Sequence, residues 1–205
     1  QRALLSGDSD FDRWYFAVDT GLMNNYPAEA ALGFEVFQEK GCISCHQLGD
    51  HNSLFSDGGF HNTGVGYLRQ QRGVRLDKVQ LAPGVYVVPL VTAETETFID
   101  NGREEVTGQN QDRWRYRTPS LRNVAITFPY MHDGSLPTLE SVVAYYAGGG
   151  SQDPLQDVRI SNTRMTISEQ QALVAFLRTL TSNQVDALVS DARSVVIGER
   201  GAAGQ

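Results

Sequence analysis

The chain has 205 residues, of which 40% are hydrophobic and 20% charged. These values are typical of a globular protein that is long enough for one domain with a sizeable core, or one domain plus appendages. The formal net charge of −7 argues against nucleic acid or an anionic membrane surface as a partner. No apolar run in the sequence approaches the length of a membrane span.

Two helices are predicted before residue 41. The first covers Arg2 to Val18 and is interrupted by the polar residues 6–10. The second starts at Pro27, which suits the first turn of a helix, and Gly41 ends it just after Lys40. Apolar residues recur between these limits at helical spacing: Ala30, Phe34 and Phe37.

The motif that dominates the sequence follows this second helix directly. It reads Cys42-Ile43-Ser44-Cys45-His46, and a C-x-x-C-H run is the attachment site of a c-type haem. The two thiols reach the vinyl groups of one porphyrin, and His46 becomes the proximal ligand of the iron. A redox dithiol would follow a strand and open a helix, and a structural zinc site needs four ligands, whereas the chain has no third cysteine. A helix that leads into the motif is typical of the cytochrome c fold.

The two cysteines also bear on where the protein is found. Both belong to the motif, so no disulfide is available, and haem attachment of this kind takes place outside the cytoplasm. We therefore expect a periplasmic or otherwise exported protein. The sequence has no visible signal peptide and begins at Gln1, which predicts a processed chain or a piece of a longer one.

Residues 47 to 117 are rich in glycine and predict long loops, which a buried haem can stabilise by supplying apolar surface. One run within them, Gly84 to Val91, is strand-like, and its Pro89 restricts it to an edge strand or a hairpin. The fold class predicted from these patterns is mainly α: a cytochrome c-type haem domain with long loops and a small β-hairpin or edge strand.

Two amphipathic helices are predicted in the last third of the chain. Thr138 caps the first, which runs to about Ala147, and places Tyr146 on its apolar face and Tyr145 on the other side. Ser168 is expected to cap the second, whose apolar stripe should pack on the helix of residues 27–40. Residues 183–195 predict a weak helix, and the tail from Gly198 is expected to fray.

Several runs, in this order, resemble the bacterial dihaem cytochrome c peroxidases and their MauG-like relatives. They are Phe11-Asp12-Arg13, Gly41 to His46, Phe60-His61-Asn62-Thr63-Gly64, Arg117 to Val124, Pro129 to Ser135, and Thr138-Leu139-Glu140. Together with the two amphipathic helices they cover most of residues 5–181.

The resemblance also implies that a part of the family pattern is missing. Family members carry two C-x-x-C-H motifs, whereas this chain has one, and its neighbours are those of the C-terminal haem domain. The N-terminal domain, which holds the peroxide-reactive haem, is absent, so we expect a fragment or one subunit of a split protein. The predicted units are a linker helix over 1–26, a cytochrome c domain over 27–181 and a C-terminal extension over 182–205.

The resemblance further implies the second ligand of the iron. In the family it is a methionine or a tyrosine fourteen residues after the histidine of the Pro-Tyr-x-His run, and counting from His132 leads to Tyr146. A phenolate stabilises ferric iron, whereas a methionine raises the potential. Two alternatives stay open: Tyr146 is a core tyrosine with a satisfied hydroxyl, or Met131 is the ligand.

Other candidate residues follow from the same comparison. Arg122 and His132 are expected either to hydrogen-bond haem propionates or to be structural residues whose polar groups have partners within the protein. His61 is expected to lie near the haem edge. The carbonyls of Thr118 and Pro119 are candidates for a calcium site between domains. The large aromatics either relay an electron hole or fill the core; they are Trp14, Trp114 and Tyr116.

Three functions remain open at this stage. The first is an electron-transfer haem c domain that exchanges oxidising equivalents with a peroxide-reactive haem in a partner half, for a redox protein or a protein substrate. In this case the chain itself has no catalytic residue and is part of a peroxidase-type oxidoreductase. The second is a cytochrome c peroxidase with a methionine-ligated, high-potential haem. The third is a standalone monohaem electron carrier.

Overall fold

The structure is a computed structural model that describes residues 7–16, 25–49, 53–72, 79–82, 85–87 and 100–185. The helices are α1 (Asp10–Tyr15), α2 (Ala28–Glu39), α3 (Val65–Arg72), α4 (Glu104–Thr107), α5 (Leu139–Ala147) and α6 (Ile167–Arg178). The strands are β1 (Phe60–Asn62), β2 (Val79–Ala82), β3 (Val85–Val87) and β4 (Arg115–Arg117). Short 3₁₀ turns cover Cys42–Ser44, Asn110–Asp112 and Val124–Ile126. The predicted mainly α class is confirmed. Four predicted features lie wholly or partly outside the described residues: the first helix (residues 1–6 and 17–24), the strand-like run (88–91), the weak helix and the tail (186–205).

The core is built on the crossing of α2 and α6, which make the most extensive contact between two elements. Gly33 of α2 sets the depth of this contact, because a Cβ there would lie 1.9 Å from the carbonyl oxygen of Ala172 on α6. The expectation that the stripe on the last helix packs on the helix of residues 27–40 is confirmed. α5 packs on α6 as well.

Phenylalanine side chains fill the space between these helices and the segment that follows the cysteine motif. Ring centroids of contacting pairs lie 5.2 Å apart for Phe11 and Phe34, 5.4 Å for Phe11 and Phe55, and 5.2 Å for Phe37 and Phe176. The Phe11 amide also donates to the carbonyl of Thr179 at 3.2 Å, which joins α1 to the end of α6. Tilted and edge-on aromatic pairs of this kind stabilise a core beyond the area they bury.

The structure confirms the predicted N-terminal cap of α5 and corrects the predicted cap of α6. Thr138 caps α5 as predicted, in a capping box with Ser141. The prediction that Ser168 caps the next helix is wrong, because α6 begins at Ile167 and Thr166 is its cap. The Thr166 hydroxyl accepts from the Glu169 amide at 3.2 Å, and the Glu169 carboxylate accepts from the Thr166 amide at 2.6 Å. The reciprocal pair satisfies two backbone donors, which a serine at position 168, inside the helix, is not placed to do.

Two small antiparallel sheets complete the fold. β1 pairs with β4, with Phe60 opposite Arg117, and sequence periodicity did not predict this sheet. β2 and β3 form a hairpin with an irregularity near Ala82, so the small hairpin predicted in this region is confirmed. Among the described residues, every helix is too short or too polar to cross a lipid bilayer.

Candidate haem-binding site

The cysteine motif lies on a tight turn at the C-terminal end of α2. Gly41 has a φ of 81°, in the left-handed region that favours glycine, and it ends the helix as predicted. The Cys42 carbonyl then accepts from the amide of Cys45 at 3.3 Å and from the amide of His46 at 3.0 Å. These bonds hold the two cysteines and the imidazole in one compact turn.

His46 is oriented by a hydrogen bond on one side of its ring. Its Nδ1 lies 2.9 Å from the carbonyl oxygen of Phe55, which can only accept, so Nδ1 carries the proton and Nε2 keeps its lone pair. Burial lowers the pKa of His46, although the hydrogen bond to Phe55 and the charge of Asp57 oppose this effect. A neutral imidazole with a free Nε2 and an anchored Nδ1 is the usual state of a metal-binding histidine.

The environment of the cysteines argues against the two alternative uses of the motif. Burial raises the pKa of the Cys42 thiol to about 11 and raises the pKa of Cys45, so the reactive thiolate that a redox dithiol needs is disfavoured. Within the described residues, one group of candidate metal-ligating side chains comes together, and it joins Cys45 to Asp57 and His61 without Cys42. Uncharged thioethers suit the partly buried position of both cysteines.

Tyr146 on α5 lies within electrostatic range of the motif. Burial raises the pKa of Tyr146 well above its ordinary value, and the neighbouring Tyr145, Cys45 and Cys42 raise it further, while a hydrogen bond with the Thr63 side chain opposes them. The structure therefore brings the predicted ligand close to both sulfurs and to the loop after β1. A phenol oxygen can bind ferric iron.

The expectation that Tyr145 faces away from the protein is wrong. Tyr145 is half-buried, and its hydroxyl donates to the carbonyl oxygen of Thr63 at 2.7 Å. The loop that follows β1 packs against this side of α5, so the helix has two covered sides rather than one. The rings of Tyr145 and Tyr146 meet nearly edge-on, with centroids 5.5 Å apart.

A charged cluster lies beside Cys45, and sequence analysis identified one of its members. His61 is held between two carboxylates, with Nε2 2.8 Å from Asp57 and Nδ1 2.9 Å from Asp157. Arg159 in turn donates to Asp157 at 2.6 Å. The structure thus places His61 next to Cys45, and its location at the haem edge stays a prediction. The roles of Asp157 and Arg159 were missed, because these residues lie 96 and 98 positions from His61, and the role of Asp57, four positions away, was missed as well.

Arg122 faces protein oxygens rather than open space. Its guanidinium forms two hydrogen bonds with Asp12, at 2.6 and 2.7 Å, and its Nε donates to the carbonyl of Ser53 at 2.7 Å. Both charged side chains are about 6–7% exposed. These contacts agree with the alternative that Arg122 is a structural residue whose donors are hydrogen-bonded within the protein. They leave Arg122 poorly placed to bind a propionate.

His132 and Met131 lie in the turn that precedes α5. His132 is exposed and its ring stacks on Tyr116, with centroids 3.7 Å apart and an interplanar angle of 12°. Met131 has a φ of 68° and its carbonyl accepts from the amide of Gly134 at 3.3 Å. Their assignment to propionate or iron stays a prediction.

The remaining candidates have partners within the chain. The carbonyl of Thr118 accepts from the Ser56 hydroxyl at 2.8 Å, and the backbone of Pro119 lies near His46, so both residues border the segment around the motif. A calcium site at these two carbonyls stays a prediction. Trp14 stacks on Tyr26 with centroids 4.3 Å apart, and Trp114 packs against Gly66.

The donor set fits a haem c. It comprises two partly buried cysteines on one turn, an imidazole whose anchored Nδ1 leaves Nε2 with its lone pair, and a partly buried phenol within electrostatic range of both sulfurs. Zinc or a redox disulfide would use one part of this set and leave the rest unexplained.

Comparisons with known proteins give the same family. The chain is 34% identical over 181 residues to the methylamine utilization protein MauG of Methylorubrum extorquens, an alignment that covers 88% of the chain and 41% of the relative. It is 35% identical over 179 residues to the cytochrome-c peroxidase IdrP1 of Denitromonas iodatirespirans, covering 85% of the chain and 45% of that protein. This chain belongs to the family of MauG and the dihaem cytochrome c peroxidases.

Solved structures agree with the assignment. The fold matches a MauG-like protein associated with microbial copper homeostasis with a TM-score of 0.61 and 28% identity, over 87% of this chain and 49% of that one. It also matches the diheme peroxidase BthA of Burkholderia thailandensis with a TM-score of 0.60 and 22% identity, over 90% of this chain and 48% of that one. No family model matches the sequence. The fold is that of a cytochrome c-type domain, its relatives imply haem c as the cofactor, and the chain spans less than half the length of the curated relatives.

Proposed function

We propose that this chain is an electron-transfer haem c domain, equivalent to the C-terminal domain of a MauG-like or peroxidase-type dihaem protein. It carries one covalent haem, with His46 and Tyr146 as the two ligands of the iron. The observation that supports this proposal is that the Tyr146 phenol lies within electrostatic range of Cys42 and Cys45, in a chain where the Nδ1 of His46 is anchored to the Phe55 carbonyl and Nε2 keeps its lone pair.

Each residue has a distinct task in this function. Cys42 and Cys45 hold the porphyrin, and the Phe55 carbonyl orients His46 through Nδ1. The haem, when bound, supplies a one-electron redox couple. Tyr146 would hold the iron through its phenol oxygen, and the positive charge of the bound group would oppose the burial that raises the pKa of this phenol.

The proposal extends to the organisation of the protein. The domain boundaries are 1–26 for a linker, 27–181 for the haem domain and 182–205 for an extension. The partner is a second haem-bearing domain or subunit that reacts with hydrogen peroxide and serves a redox protein or a protein substrate. The location is the periplasm or another exported compartment, and calcium at Thr118 and Pro119 belongs to the contact between the two halves.

The experiment that tests the proposal compares three single variants of the haem-loaded protein. Tyr146→Phe is expected to change the ferric absorption spectrum and raise the reduction potential, because a phenolate stabilises ferric iron. Tyr145→Phe is the matched control: it removes the hydroxyl of the neighbouring tyrosine and should leave the spectrum unchanged. An unchanged spectrum in Tyr146→Phe contradicts the assignment.

Met131→Leu distinguishes the rival function. If Met131 binds iron, as in a cytochrome c peroxidase with a high-potential haem, the ferric protein has a weak far-red sulfur-to-iron band that this substitution abolishes. The proposal expects no such band. A native mass measurement then separates a standalone carrier from a protein with a second haem-bearing half.

A further inference from the structure

Phe55 has a backbone conformation that is rare for a large side chain. Its φ is 51°, in the left-handed region, and its side chain is fully buried. The carbonyl of this same residue accepts the Nδ1 hydrogen bond of His46 at 2.9 Å. A strained conformation of this kind persists only where the surroundings fix it, and such positions concentrate at functional sites.

Two charged side chains hold the segment of Phe55 in place. Asp12 and Arg122 form a buried, two-point ion pair at 2.6 and 2.7 Å, here called the Asp12–Arg122 clamp. The Arg122 Nε donates to the Ser53 carbonyl at 2.7 Å, and the guanidinium lies 5.2 Å from the centroid of the Phe55 ring. The Phe55 amide donates to the Ser53 hydroxyl at 3.3 Å.

The clamp therefore contacts the segment 53–55 at its backbone and at its aromatic ring. Asp12 is fixed independently, because its carboxylate accepts from the amide and the hydroxyl of Ser9, at 3.0 and 2.6 Å, in the capping box of α1. A planar guanidinium can satisfy a carboxylate and a carbonyl at once, which a lysine ammonium cannot do in the same geometry.

We propose that the Asp12–Arg122 clamp is a positioning device for the iron ligand His46. By fixing Ser53 and Phe55, it keeps the Phe55 carbonyl aimed at Nδ1. That hydrogen bond sets the plane of the imidazole and increases electron donation from Nε2, which favours ferric iron. The inference rests on His46 as an iron ligand, and it needs neither Tyr146 as the second ligand nor a reaction with peroxide.

The test uses Asp12→Asn and Arg122→Lys in the full haem-loaded protein. Asparagine keeps the shape of the carboxylate without its charge, and lysine keeps the charge without the two-point geometry. Both variants are expected to exchange the His46 Nδ1 proton at least tenfold faster, measured by NMR. Both should also show a higher reduction potential, where a tenfold weaker preference for the ferric state corresponds to about 59 mV.

Glu140→Gln is the matched control, since it breaks the ion pair of Glu140 with Arg178, in which both side chains are more than half exposed. This variant should keep the parent's potential and proton exchange. If the clamp variants lose stability but keep both quantities, the clamp is merely structural and the proposal is wrong.

The unaltered protein provides a second measurement in case the variants do not mature. Its His46 Nδ1 proton should exchange as slowly as the slowest amides of α2 and α6, and rapid exchange overturns the proposal. Failure of the proposed function is recognised separately, because it shows in the spectrum of Tyr146→Phe and leaves the Nδ1 proton unaffected.

Discussion

The two sides of the candidate haem site are built by different means. The side that carries His46 rests on the α2–α6 crossing and on buried phenylalanine rings, with the Asp12–Arg122 clamp as its one buried ion pair among the residues described. The side that carries Tyr146 rests on α5, which packs on α6, and on the loops after β1 and after α5, which are joined by hydrogen bonds between polar side chains and the backbone.

The polar network on the Tyr146 side is extensive. The Asn62 amide group donates to Asp153 at 2.7 Å, and its carbonyl oxygen accepts from the amide of Gly64 at 2.8 Å. Gln156 donates to the carbonyls of Gly149 and Ile160 at 2.8 and 3.0 Å, and accepts from the amide of Ser151 at 2.7 Å. Packing thus positions the proposed ligand His46, and loop hydrogen bonds support the segment around the proposed ligand Tyr146. Loops vary more readily than cores, so we expect the position of Tyr146 to be the more adjustable of the two.

The largest expected effect is on the His46 side. Gly33→Ala places a Cβ 1.9 Å from the Ala172 carbonyl oxygen, so α2 and α6 must separate. We expect a loss of about 3 kcal/mol in the free energy of unfolding, at the upper end for overpacking. Gly148→Ala is the control, because its Cβ would meet neighbouring oxygens at 3.5 Å. Chemical denaturation compares the two, and equal losses would contradict the role given to the helix crossing.

A smaller and more local effect is expected on the Tyr146 side. Gln156→Ala leaves two carbonyls and one amide of the loop after α5 without their partner, at a cost of about 1–2 kcal/mol. Amide hydrogen exchange should accelerate around residues 149–160 and stay unchanged in α2 and α6. The exposed Gln152→Ala serves as the control. Faster exchange throughout the helices would show that the two sides are one cooperative unit.

The smallest effect is a pH dependence of stability at the charged cluster. Partial burial raises the pKa of Asp57, but the Thr118 hydroxyl, the Gly59 amide and His61 outweigh this effect and lower the pKa to about 2. Since the pKa in the folded protein lies below that in the unfolded chain, the stabilisation is present above pH ~4 and disappears as the pH falls towards 2.

Asp57→Asn should therefore reduce stability at neutral pH by about 1 kcal/mol, after allowance for solvent screening, and should match the parent near pH 2. Denaturation midpoints measured from pH 2 to 7 follow this difference. If the stability difference between Asp57→Asn and the parent stayed constant from pH 2 to 7, the charge of the Asp57 carboxylate would not contribute to stability.

The sequence predicted features that depend on near neighbours. The cysteine motif, the end of α2 at Gly41 and the cap of α5 at Thr138 are all specified within a few residues. The sheet of β1 and β4 has only three residues in each strand, too few to show an alternating pattern, and it joins segments far apart in the chain.

Arg122 shows the same limit for the site. A donor was expected there, but its acceptor is Asp12, 110 positions away, and periodicity carries no information about such a pair. Phe55 is a second case: a left-handed residue is normally signalled by glycine or asparagine, and a phenylalanine gives no such signal. Both residues are fixed by tertiary packing around the His46 side.

The hydrogen bonds between the first and the last described segments of the chain have a further consequence. The Asp8 carboxylate accepts from the Ser182 hydroxyl at 2.5 Å and the Asp8 carbonyl accepts from the Asn183 side-chain amide at 3.0 Å, so the segments before and after the haem domain lie side by side. A circular permutant that links these ends and opens an exposed loop should keep the fold. The domain can also be inserted into a larger protein without separating the segments that flank the insertion point.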